Sequence, residues 1–166
     1  IAHRLHRRNL AVPRPLGWME KIHRGMVQES YYLSEAVGSG ISFIEGCSKS
    51  GDSPLVGELA NTVKKTHKAG LFHGDLHAGN FLWDGRRFFL TDLHSAKITR
   101  RLSLSQRLWN LAHLFHSLRS AWGEEEHSKF MDVYFDGESF DPGENERVLG
   151  KIHSRMDRLR RRQWRS

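Results

Sequence analysis

Asp75, Asn80 and Asp92 are spaced in a way that suits phosphoryl transfer from ATP. That reaction needs Mg²⁺ held by hard oxygen donors, which carboxylates and carboxamides supply. It also needs a carboxylate that takes or orients the proton of the acceptor hydroxyl, and the rest is positioning and charge neutralisation. Asp75 lies in the string His73-Gly74-Asp75-Leu76-His77-Ala78-Gly79-Asn80, and the second carboxylate comes in Thr91-Asp92-Leu93. His73 would brace the loop, and Gly74 lets it turn tightly.

Between the two groups, Phe81-Leu82-Trp83 and Arg87 to Thr91 read as short strands joined around Asp84-Gly85, a favoured hairpin pair. A hairpin folds the chain back and can return Asp92 to Asn80. Protein kinases use the same order: a loop Asp, an Asn five residues later, and a second Asp after a short hairpin. In that setting Leu82 would lie under an adenine ring, and Glu35 and Val37 would offer backbone groups to its edge. Plainer readings compete. Asp and Asn are common turn residues, Leu82 also suits a core, and Glu35 and Val37 suit an ordinary connection.

Elements must hold these groups in place. Arg4 to Asn9 reads as the end of a helix. Val12-Pro13-Arg14-Pro15 enforces an extended stretch, because each proline biases its predecessor away from helix. Leu16 to Met19 and Gly25 to Glu35 read as strands around a turn at Lys21–Arg24. Gly38-Ser39-Gly40 is a joint. Ser53-Pro54 starts a helix, with Leu55, Leu59, Val63 and Thr66 on one face and Gly70 placed to end it. Beyond the hairpin, Leu104, Leu108, Leu111, Phe115, Leu118 and Trp122 form one helical stripe. Glu124 to Glu126 suit a further helix start, where the macrodipole favours negative charge, and Phe130, Val133 and Tyr134 give that helix a face. Asp141-Pro142-Gly143 breaks the chain, and Val148, Ile152, Met156 and Leu159 mark a last helix. The order predicts an α+β fold with a mainly helical second part.

Composition narrows the setting. The chain has 166 residues, about one domain, and no apolar run long enough to cross a bilayer. The single cysteine, Cys47, reads as a small, partly buried residue and cannot form an internal disulfide; cytoplasm is the expected location. A formal charge of +7 favours anionic partners. Much of the excess lies at the end, in Lys151, Arg155, Arg158, Arg160, Arg161, Arg162 and Arg165. The plain reading there is a solvated helix end; the functional one is peripheral contact with anionic lipid on the cytoplasmic face of the inner membrane. No repeated aromatic–basic interleaving points to nucleic acid.

The string His73 to Asn80 is similar to the catalytic loop of the protein-kinase-like superfamily, including aminoglycoside phosphotransferases. Thr91-Asp92-Leu93-His94-Ser95-Ala96-Lys97 resembles the Asp-Leu-His form of the lipopolysaccharide core kinases of the Kdo/WaaP type. Ala11 to Gly17, Arg107 to Ser117 and Phe130 to Gly137 resemble flanking segments of that family. The resemblance implies a kinase that phosphorylates a sugar hydroxyl in the lipopolysaccharide inner core, with a glycolipid or sugar as acceptor. Asp75 would be the catalytic base, Asn80 and Asp92 the magnesium ligands, and Glu35, Val37 and Leu82 the ATP contacts. Residues 1–37 would be a remnant of the N-lobe and residues 38–166 the C-lobe. The glycine-rich loop and strand lysine expected of kinases are not visible, so the chain reads as N-terminally truncated and inactive alone. Asn110 stands where kinases usually have an Asp that bonds the catalytic-loop backbone.

Three rivals remain at this point. One is a small-molecule kinase of the aminoglycoside type. A second is a pseudokinase or basic binding module. The third is a zinc hydrolase using His73, Asp75 and His77, with His67 and His94 in reserve.

Overall fold

The computed structural model describes residues 1–38, 54–138 and 142–163. The expected Ser53 cap, most of the Gly38-Ser39-Gly40 joint, Cys47, Asp141 and the last three residues lie outside the described residues.

Helix α1 (Ala2–His6) ends sooner than its sequence suggests. The chain leaves it through Asn9, which takes a left-handed φ of 54°. Strands β1 (Pro15–His23) and β2 (Met26–Ser34) form an antiparallel hairpin, β1 longer than expected and β2 slightly shorter. Its turn is also tighter than Lys21–Arg24. Only Arg24 and Gly25 separate the strands, both at positive φ (51° and 77°), the geometry that matches strand twist. Among the described residues no third strand joins this pair, and Trp18, Met19, Ile22, Met26 and Val27 face solvent.

Helix α2 (Pro54–Lys68) buries Leu59, Val63 and Thr66 as its periodicity predicts. Gly70 ends the segment at φ 81°, and a Cβ there would lie 2.0 Å from the Thr99 carbonyl oxygen. Two three-residue strands follow that periodicity could not reveal. Strand β3 (Leu71–His73) pairs antiparallel with β6 (Ala96–Ile98), Leu71 opposite Ile98 and His73 opposite Ala96. Between them lies the expected hairpin of β4 (Phe81–Trp83) and β5 (Phe88–Leu90), with Phe81 opposite Leu90. Its tip is held by Asp84, whose carboxylate accepts the N–H groups of Arg86 and Arg87.

Helix α3 (Leu104–Leu118) begins with a reciprocal cap, Ser103 accepting from Gln106 N–H while the Gln106 side chain accepts from Ser103 N–H. Its stripe is buried from Leu108 to Leu118; Leu104 is partly exposed, and Trp122 packs from the turn beyond the helix end. Helix α4 (Glu124–Phe135) starts with Glu126 accepting the Gly123 N–H. Helix α5 (Pro142–Gln163) lays Val148 and Ile152 against α3. Phe115, Phe130 and Tyr134 are fully enclosed where these helices meet. Truncating one such ring costs about 3–5 kcal/mol. This helical core is the platform on which the polar loop between β3 and β4 rests.

Candidate active site

The loop from His73 to Asn80 is fixed by its own polar groups. His73 is 1% exposed, and its Nδ1 accepts the Asp75 N–H at 3.1 Å. Asn80, also buried, donates from Nδ2 to the Asp75 carbonyl oxygen at 2.9 Å. Asp75 is thus held on both sides through its backbone while its side chain remains more than half exposed. Burial lowers the His73 pKa. The Thr91 and Asp92 backbone and the carboxylates of Asp92 and Asp75 act in the opposite direction.

The hairpin returns the chain to the same place. The Thr91 N–H donates to the Asn80 carbonyl at 2.8 Å, and the Thr91 hydroxyl donates to it at 3.0 Å. Asp92 follows in the left-handed conformation, φ 52° and ψ 56°, an uncommon state for a residue with a side chain. Such strain clusters at functional sites. Gly74 meets the far side of this turn, its N–H donating to Ser95 O at 3.2 Å. A Cβ on Gly74 would come within 2.9 Å of that oxygen. The structure therefore brings Asp75, Asn80 and Asp92 to one region, two of them linked directly and the third through Thr91.

Asn110 of α3 is fully buried and clasps the loop. Its Oδ1 accepts the His73 N–H and its Nδ2 donates to the His73 carbonyl. The same Oδ1 lies 3.2 Å from His67 Nε2, so that nitrogen carries the proton; His67 Nδ1 then accepts from the Tyr134 hydroxyl at 2.6 Å. Arg107 in turn donates to Tyr134 Oη at 2.8 Å and grips Glu138 with both terminal nitrogens. Burial pushes His67 down to about 3 and Tyr134 up to about 12. His67 is therefore a neutral core histidine. Among the described residues no three His, Cys, Asp or Glu side chains converge as a metal cluster.

Two contacts escaped the sequence reading. Asp-Leu-His occurs at both Asp75 and Asp92, and each histidine approaches its own carboxylate: His77 lies 3.7 Å from Asp75, and His94 Nδ1 hydrogen-bonds Asp92. The repeated triplet was the available signal.

The Lipopolysaccharide kinase (Kdo/WaaP) family profile matches residues 1–134. The chain belongs to this family. A solved structure of WaaP in complex with acyl carrier protein shares the fold of this Kdo/WaaP-family chain, with a TM-score of 0.71 at 20% identity, covering 95% of this chain and 73% of that one. A probable bifunctional tRNA threonylcarbamoyladenosine biosynthesis protein from Methanocorpusculum labreanum is 33% identical over 92 residues. That stretch is 55% of this chain and spans 17% of that relative's length.

A cleft of about 510 Å³ lies between α1, β2 and the Asp92 turn, with Pro13, Tyr32, Thr91 and Asp92 in its wall. Its volume is in the range of cofactor sites. The three adenine candidates, Glu35, Val37 and Leu82, do not line this cleft. Leu82 is half-buried opposite Phe89 in the hairpin, and Val37 is buried at the joint beside it. Gly38 approaches Trp83 and Asp84 closely enough that a Cβ would meet both. Glu35 is exposed, and its N–H is engaged by Arg14 O at 2.8 Å, which leaves only its carbonyl to meet a base edge.

The donor set fits magnesium. Asn80 uses its amide nitrogen on Asp75, so its Oδ1 is the side-chain atom that could serve as a hard oxygen donor. Asp92 has one carboxylate oxygen engaged by His94 and a second beside it. One carboxylate and one amide oxygen leave the remaining positions to phosphate and water, as Mg²⁺ prefers.

Proposed function

We propose that this chain carries the catalytic loop and metal-binding residues of an ATP-dependent phosphotransferase acting on a sugar hydroxyl of the lipopolysaccharide inner core. The observation that carries this reading is the link Asp75–Asn80–Thr91–Asp92, in which Asn80 joins the two carboxylate-bearing segments, its side-chain amide donating to Asp75 O and its backbone carbonyl accepting from Thr91. Asp75 would be the catalytic base: its backbone is pinned, and its exposed carboxylate is free to accept the proton of an incoming hydroxyl. Asn80 and Asp92 would hold Mg²⁺, which when bound neutralises charge on the phosphates. Leu82, Val37 and the Glu35 carbonyl would contact adenine, the domain division falling near residue 37. Family membership supports the acceptor class.

Among the described residues no helix is long and apolar enough to cross a membrane. Peripheral attachment to the cytoplasmic face of the inner membrane would come from the basic end of α5, through attraction of about 1 kcal/mol per basic residue near an anionic surface. The deciding experiment measures, with the full-length enzyme, transfer of labelled γ-phosphate to lipopolysaccharide core and to free sugars, with and without Mg²⁺. Transfer that depends on Mg²⁺ and disappears in Asp75→Asn supports the reading. Transfer that survives this change sinks it.

A further inference from the structure

Helix α3 presents a face to the catalytic loop that the roles above do not fully use. Asn110 bonds the His73 backbone, and Ser117 Oγ accepts the Ala78 N–H at 2.9 Å. At 1.5 Å of rise per residue these anchors are about 10 Å apart along the axis. His113 lies between them on the same face, and it feels the Asp75 carboxylate, although burial dominates and lowers its pKa.

Beside His113 opens a cavity of about 150 Å³ between α3 and α5, lined by Trp109, Ala112, His113, Arg155, Arg158 and Leu159. Its size matches cavities that admit one small ring. The Trp109 and His113 rings stack with centroids 3.7 Å apart, forming a flat wall. The buried Nε2 of His113 has no hydrogen-bond partner among the described residues. A buried polar atom without a partner is costly unless something meets it. Two guanidinium groups complete the cavity, and among the described residues no acidic side chain stands in its wall. Arg155 is tied to Ser105 by bonds of 3.1 and 3.0 Å. Arg158 donates from Nε to Ser154 O in its own helix. Planar guanidinium forks match carboxylate and phosphate oxygens.

We propose that this cavity is an acceptor subsite for an oxyanion substituent, carboxylate or phosphate, on the sugar whose hydroxyl is presented to Asp75. Arg155 and Arg158 supply the charge, and the Trp109–His113 stack supplies a wall for the ring. The word acceptor rests on the phosphotransferase reading; the binding of an anionic sugar does not.

The test titrates the chain with glucose, glucose 6-phosphate, glucuronate and inorganic phosphate, following binding by calorimetry. The wild-type chain should bind at least one charged sugar tenfold or more tightly than glucose. Whichever of the phosphate and the acid binds tighter names the oxyanion. Arg158→Ala should reduce that preference to threefold or less with unchanged circular dichroism, because Arg158 is exposed and its bond to Ser154 stays within its own helix. Arg158→Glu should abolish it. Equal binding of charged and neutral sugars by wild type, or a preference intact in both variants, overturns the subsite. So does inorganic phosphate binding as tightly as the sugar phosphate, which would mark a bare anion site. Asp75→Asn separates the two readings, since it should keep the preference while losing transfer. A preference without transfer in the full-length wild-type enzyme leaves the subsite standing and removes the kinase. Transfer to charged and neutral acceptors at equal efficiency does the reverse.

Discussion

Asn110 holds His73 from both sides, accepting its N–H at 3.3 Å and donating to its carbonyl. An aspartate at that position could only accept. The amide therefore adds a donor to the brace. It also shares its oxygen with His67, so one buried side chain joins the catalytic loop to α2 and, through Tyr134, to α4.

Asn110→Ala should lower stability by about 2–3 kcal/mol, since it leaves buried groups on His73 and His67 without partners. Urea denaturation monitored by tryptophan fluorescence measures this. A change below about 0.5 kcal/mol would show that the brace is dispensable.

In the full-length enzyme, Asp75→Asn and Asp92→Asn should each reduce phosphoryl transfer by about 10²-fold or more. Both side chains are about half exposed, so the fold should persist. Asn80→Ala should in addition raise the Mg²⁺ concentration needed for half-maximal rate. The readout is initial rate against Mg²⁺ concentration for each variant, beside its thermal melt.

Stability should fall in mild acid. His67 has a folded pKa of about 3 against an ordinary 6.5. Between these values the unfolded chain binds a proton that the folded chain refuses. Stability is therefore lost as pH drops below 6.5, and the loss continues toward pH 3. Each pH unit well inside that window costs about 1.4 kcal/mol from this group. Burial also lowers His73, His113 and His127, which act in the same direction. Urea midpoints at successive pH values should show the slope, and His67→Asn should flatten it.

Gly70→Ala should destabilise by more than about 1 kcal/mol, because the new Cβ would collide with Thr99 O in a backbone conformation that already disfavours it. A thermal melt unchanged from wild type would contradict this.

The main elements were legible because their signals are local. The stripe from Leu108 to Leu118, the Gly70 stop and the Asp84-Gly85 turn each follow from spacing or from one residue's backbone preference. That Asp75, Asn80 and Asp92 come to one region was legible because a short hairpin between Asn80 and Asp92 must fold the chain back on itself. The β3–β6 pair was not, since three residues carry no periodicity and the partners lie far apart in sequence. The Trp109–His113 wall was hidden for a related reason. Trp109 reads as one more aromatic on a helix until α5 is seen to bring Arg155 and Arg158 against it. Sequence also cannot show which Glu35 backbone group would meet an adenine edge, since the bond from its N–H to Arg14 O joins residues far apart along the chain.

The pairing of Phe81 with Leu90 makes the β4–β5 ribbon a ruler. Its two ends stay level however long the tip becomes, so insertions between Asp84 and Arg87 should leave the reaction centre untouched. A slip of one residue along the strands would instead displace Asp92 by about 3.3 Å and turn its neighbours to the opposite side. Among related chains, length variation should collect at that tip and be absent from the strands themselves.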